Sequence, residues 1–183
     1  MNLEHDWFPR SLPENVVMGE RSWCHSSFSC LHYRSRQPVG LRVGSDTGIY
    51  SGTFFDLGPE GKVEIGDFCT LVGAILSTNR TIVIENYAFL AHEVVLADRF
   101  AAAPWEDLQP GPLAAWAEAG GPVSIRVGEN SWIGARAVLL AGARIGPGAI
   151  VGAAAVVDFA VPADAIVAGN PARIVGWARP QRS

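Results

Sequence analysis

The chain has 183 residues, 49% of them hydrophobic and 17% charged, with a net charge of −4. That length fills one core, the composition argues against disorder, and the acidic balance argues against a nucleic-acid partner. No apolar run approaches the roughly 18 residues of a membrane span, and the N-terminus MNLEHDWFPR carries no apolar leader, so a soluble, cytoplasmic protein is expected.

After an N-terminal segment, 1–17, the chain falls into sixes. MGERSW at 18–23 is followed by CHSSFS and CLHYRS, then by VGSDTG and IYSGTF at 43–54. IGDFCT and LVGAIL fill 65–76, one extra residue breaks the phase before Ile84, and IENYAF and LAHEVV fill 84–95. Irregular corners are expected near 36–42 and 55–64. Residues 99–122, with Trp105 and Trp116, form an inserted loop, and a loop of that length ejected from a regular stack points to a functional role. Residues 127–162 are the most regular: VGENSW, IGARAV, LLAGAR, IGPGAI, VGAAAV, VDFAVP. The first place is always Val, Ile or Leu and the second is usually Gly. The fifth is small or aliphatic: Ser131, Ala137, Ala143, Ala149, Ala155 and Val161.

An amphipathic helix repeats near 3.6 residues, which this period does not match. Each six suits a short strand and a bend. The aliphatic residue points inward, the fifth residue fits a tight interior, and glycine permits the bend. Three sixes close one triangular coil, and coils stack at about 4.8 Å. The expected fold is all-β, a parallel β-helix of about six coils over 18–162 with a closing segment at 163–183. Cys24, Cys30 and Cys69 fall at inward places and are expected as buried free thiols. Beyond Val123, six arginines face three acids, a local +3 on an acidic protein that suits a small anionic ligand.

Four histidines are present: His5, His25, His32 and His92. His5 precedes the repeats, and His25 and His32 lie in the first coil. His92 takes the third place of LAHEVV, where its ring projects outward from a bend. Counting in sixes puts Leu71, Leu90 and Ile133 on one face. Two residues on, Gly73, His92 and Ala135 form a ladder whose small members leave a groove open around the imidazole. A histidine-bound catalytic zinc site would need about three converging histidines. The later coils hold only His92, so no metal is expected.

The run VGENSWIGARAVLLAGARIGPGAIVGAAAVV, with VPADAIVAGNPARIVG after it, closely resembles the hexapeptide-repeat acyltransferases. The resemblance implies a left-handed coil, a homotrimer with active sites between subunits, and acyl transfer, typically acetyl from coenzyme A, to a hydroxyl or amine of a sugar-like acceptor. It also implies that His92 is the general base, with Glu93 as the acid of a His-Glu pair. Imidazole suits that role because it is largely neutral at pH 7, and a carboxylate fixes its tautomer. Gly134, Ala135 and Ala153 match backbone positions along the pantetheine arm, and Arg173 of GNPAR matches the contact to the nucleotide end. Arg144 joins them on location alone. Two features depart from some relatives: no histidine lies within 93–122, where the galactoside and antibiotic acetyltransferase branch carries its own, and Asp158 and Phe159 stand where many carry Thr-Lys, which weakens a coenzyme A contact. Acyl carrier protein as donor, and a non-catalytic trimeric scaffold or sugar-binding module, stand as alternatives. The loop and the N-terminal coils, with Trp23, His32 and Tyr33, are expected to shape acceptor choice.

Overall fold

The computed structural model describes residues 3–98 and 123–179; the inserted loop lies outside these. Three sheets wrap one core. Face A stacks Val16–Met18, Leu41–Val43, Lys62–Ile65, Thr81–Ile84, Val123–Val127, Arg144–Ile145 and Ala160–Val161. Face B stacks Trp23–Cys24, Gly48–Ile49, Thr70–Leu71, Phe89–Leu90, Trp132–Ile133, Ile150–Val151 and Ala165–Ala168. Face C stacks Phe54–Leu57, Ile75–Thr78, Val95–Ala97, Val138–Leu140 and Val156–Val157. Pairing is parallel throughout until Arg173–Trp177 returns antiparallel on Ala165–Ala168. In the first coil the 3-10 turn Ser27–Cys30 replaces the strand of face C. The stacked strands run from Val16 to Ala168, beyond both ends of the 18–162 repeat region.

The inward ladder follows the period of six. Leu71, Leu90 and Ile133 pair in register and are fully buried. Ala137, Ala143, Ala149 and Ala155 are buried to the same degree, because a triangular interior has no room at its corners for a longer side chain. Burying each large aliphatic contributes about 1.5–3 kcal/mol.

Two details differ from the sequence reading. Val161 does not fill a fifth place: it pairs with Ile145 and opens the next rung of face A after a step of four from Val157. The second-place glycines do not make the bend. A Cβ on Gly44 falls 2.5 Å from the Gly66 carbonyl carbon, and one on Gly134 falls 2.7 Å from the Ala153 nitrogen. These glycines serve the close approach of rung to rung. The left-handed backbone falls at the fourth place, on Phe68, Tyr87, Glu93, Asn130, Arg136 and Ala154.

Cys24 and Cys69 are buried, whereas Cys30 lies in the 3-10 turn, partly buried, and not on a strand. All three are free thiols, and burial pushes that of Cys30 up to about 12. The N-terminal segment straps the first coil. His5 stacks on Trp23 at 3.9 Å, and Asp6 accepts hydrogen bonds from the Ser26 hydroxyl and the Ser27 amide. Among the described residues no helix is long and apolar enough to cross a membrane.

Candidate active site

The turn joining Phe89–Leu90 to Val95–Ala97 forms a corner between faces B and C. Leu90, Val94 and Leu96 anchor it inward, so His92 and Glu93 are left exposed at its tip. The backbone of the next rung holds it in place: the Arg136 amide donates to the His92 carbonyl at 2.9 Å, and the Ala154 amide repeats this contact to Ala135. His92, Ala135 and Ala153 thus stand on successive rungs of one corner.

Glu93 takes the left-handed place of the turn, φ 59°, and its carboxylate turns to the next rung. It accepts from Arg136 Nε at 2.8 Å, with both side chains largely exposed. Among the described residues nothing hydrogen-bonds the His92 ring. The carboxylate beside the histidine therefore clamps the following rung, and its salt bridge is weak in water.

The rung before His92 is one residue short. Leu71 to Leu76 is a step of five, whereas their partners Leu90 to Leu96 span six. Gly73 carries φ +62° and lies against the Ser51 carbonyl and the Glu93 amide, so it matches Glu93 in the stack and not His92. The expected ladder of Gly73, His92 and Ala135 is thus broken on that side. A notch, with no residue at the equivalent place, opens beside the imidazole.

On the other side the corner is lined by small residues. Gly134 lies against the rung of Gly152, and the amides of Ala135 and Ala153 donate to no described residue. They form a short row of open donors running away from His92 (the kind of surface that takes an extended amide chain). Arg173 lies at the end of this row, paired with Ala168 on face B; its Nη1 donates to the Ala172 carbonyl and it makes no ion pair with a described residue. Arg144 lies elsewhere. It sits on face A, opposite the B–C corner, with Nη1 on the Ser124 and Ala143 carbonyls and Nη2 on that of Val123. Partial burial, then Arg126 and Arg80 nearby, lower its pKa. These bonds tie it to the strand Val123–Val127, away from the corner that carries His92, Ala135 and Ala153.

The +3 end is less cationic than its count suggests, since Arg126 pairs with Glu85 and Arg136 with Glu93, two acids outside that count. Of the N-terminal residues singled out for acceptor choice, Trp23 is covered on one face by His5 and Tyr33 packs against the core with its hydroxyl buried. His32 is exposed beyond the 3-10 turn. The sequence reading missed a different set: His25 and Tyr50 occupy second places on face B, where the third coil carries Val72 and the coils after it alanine or glycine, and both border a pocket with Trp7 and Phe54. Large residues at second places were the available signal. No group of three potential metal ligands converges among the described residues.

Stacked parallel rungs with an inward residue at every sixth place define the fold as a parallel β-helix. Residues 124–158 match the family model of bacterial transferase hexapeptide (six repeats). This stretch spans the regular coils, and the all-β parallel helix agrees with the left-handed form implied by the resemblance. The fold is similar to that of a hexapeptide transferase family protein from Anaplasma phagocytophilum, at 15% identity and TM-score 0.51, over 92% of this chain and 87% of that one. It is also similar to WeeI from Acinetobacter baumannii AYE, at 22% identity and TM-score 0.52, over 90% of this chain and 57% of WeeI. The polySia specific acetyltransferase NeuO matches at 21% identity and TM-score 0.51, over 78% of this chain and 65% of NeuO.

Proposed function

We propose that the protein is an acyltransferase that moves an acyl group, acetyl in the first instance, from coenzyme A to a hydroxyl or amine of a small sugar-like acceptor. The single observation carrying this reading is the exposed imidazole of His92 on the same corner as the open amides of Ala135 and Ala153. In this reading neutral His92 takes the acceptor proton as the oxygen or nitrogen attacks the thioester carbonyl. An amide of the Ala135 turn supports the oxyanion, the carbon–sulfur bond breaks, and imidazolium returns the proton to the departing thiolate. The pantetheine arm follows Gly134, Ala135 and Ala153, and Arg173 meets phosphate at the far end. Coenzyme A acts as a co-substrate and no tightly held cofactor is required. Glu93 acts as a positioning residue by clamping the rung through Arg136. The ion pairs of Arg126 and Arg136 weigh against an acidic carrier protein as donor.

The active unit is a homotrimer in this reading. Face B presents Phe89 and Trp132 edge to face at 6.1 Å, with 37% and 55% of their surfaces exposed, and a neighbouring subunit would bury them. Sedimentation is expected to give three times the 19.5 kDa chain mass. The test of function is release of free thiol from acetyl-coenzyme A with a panel of amino sugars, sugars and sugar nucleotides. Turnover that depends on acceptor and on His92 supports the reading. Absence of transfer to every acceptor favours a scaffold.

A further inference from the structure

The pocket at the N-terminal end of the same corner has no part in the chemistry above. It encloses about 230 Å³ and is lined by Trp7, His25, Phe28, Tyr50, Ser51 and Phe54, among others. Its walls are braced ring on ring. Phe28 meets Trp7 and Phe54, each at 5.4 Å between centroids. Trp7 is carried there by the strap, which Asp6 fastens to Ser26 and Ser27. The pocket thus combines aromatic surface with hydroxyl and imidazole groups, and among the described residues no lysine or arginine lines it.

Position gives this pocket a purpose. Ser51 and Gly52 belong to the second coil and His92 to the fourth, and only the shortened turn at Gly73 lies between. A Cβ on Gly52 would meet the Gly73 Cα at 3.3 Å, and one on Gly73 would meet the Glu93 nitrogen at 3.7 Å, so the three turns stack directly. Two rung spacings make the separation about 10 Å. A single pyranose ring presenting its reactive group to His92 ends short of the pocket, whereas a second linked ring passes over the notch and reaches it.

We infer that this aromatic pocket is an acceptor subsite that binds an uncharged sugar ring one residue beyond the ring that is acylated. The ring's apolar face lies on aromatic surface and its hydroxyls meet Ser51 and His25, a division of labour usual in small-molecule pockets. With no lysine or arginine among its described lining residues, the subsite suits an uncharged glycan unit better than the diphosphate of a sugar nucleotide. This inference rests on the acyltransferase reading for the direction of the acceptor, but the pocket's binding is measurable without turnover.

The experiment is calorimetric titration of the full chain with glucose and cellobiose, galactose and lactose, N-acetylglucosamine and chitobiose, and UDP-N-acetylglucosamine. At least one disaccharide is expected to bind tenfold or more tightly than its own monosaccharide. Trp7→Ala and Tyr50→Ala, both at exposed side chains, are expected to abolish that preference while thermal unfolding stays unchanged. His92→Ala is expected to keep the binding preference. If no disaccharide is preferred, if the preference survives both pocket variants, or if UDP-N-acetylglucosamine alone binds and is lost with Tyr50→Ala, the subsite assignment is overturned. Disaccharide preference without any transfer from acetyl-coenzyme A defeats the acyltransferase reading and leaves the subsite standing. Transfer without disaccharide preference does the reverse.

Discussion

The coils over 127–157 and the coils over 16–57 use the same triangular plan with different economy. In the later coils every step is six, fifth places are Ser or Ala, and the B–C corner is stripped to Gly134, Ala135 and Ala153. In the earlier ones a 3-10 turn replaces a strand, aromatic rings occupy the same corner, and a strap of chain closes over the end. Regularity makes a smooth rail, and irregularity makes a pocket. His92 stands where the two regimes meet, with the short turn at Gly73 on one side and the row of open amides on the other.

The sharpest way to break this comparison is at the junction. His92→Ala is expected to lower kcat by roughly 10²–10⁴-fold, with a circular dichroism spectrum unchanged because the ring is exposed. A loss below tenfold would remove His92 from the chemistry. In the regular coils the expected effects are on stability. Ile133 is fully buried, and Ile133→Ala should cost about 2–5 kcal/mol in urea unfolding. At the rail's far end, Arg173→Ala should raise KM for acetyl-coenzyme A about tenfold, the scale of one charge-assisted hydrogen bond. The same variant should leave KM for acetyl-pantetheine, which lacks the nucleotide, unchanged; equal effects on both donors would place Arg173 away from the nucleotide. Glu93→Gln should lower kcat by less than about threefold, in keeping with an exposed ion pair. A loss as large as that of His92→Ala would return Glu93 to the role of a direct partner of the imidazole.

The strap gives a prediction in pH. Burial raises the Asp6 pKa, but hydrogen bonds from the Ser27 and Ser26 hydroxyls and the Phe8 and Ser27 amides outweigh it and hold the carboxyl well below the usual range. A carboxyl depressed in the folded state stabilises above its unfolded pKa of about 3.9, and that contribution fades as pH falls through the lower folded value. Asp6→Asn should therefore lower the unfolding temperature at pH 7, and the difference from the natural chain should shrink below pH 4. An unchanged difference down to pH 2 would show that the strap is held by other contacts.

Most of the architecture was legible because a period of six has one geometric solution. The inward residues Leu71, Leu90 and Ile133 aligned as counted. The exposed place of His92 followed from the same count. What the period could not convey was anything set by neighbouring rungs. Glu93 adjoins His92 in sequence, yet its left-handed backbone sends the carboxylate toward Arg136, 43 positions away. Gly73 appeared to be a ladder partner of His92, but one missing residue shifts its place. Arg144 shares the charge and neighbourhood of Arg173, yet face A carries it to the opposite side. The aromatic pocket draws on residues from three separate segments, and only their unusual bulk at second places hinted at it.

The reversed strand Arg173–Trp177 has a consequence for assembly. A stack of parallel rungs ends in a row of unpaired backbone groups that an identical chain could extend indefinitely. Here the last rung of face B is already occupied by a strand running the opposite way, and the opposite end lies beneath the His5–Asp6 strap. Growth along the axis is thereby blunted at its two tips, which leaves the flanks of the prism as the surfaces through which the proposed trimer would close into a ring instead of a fibre.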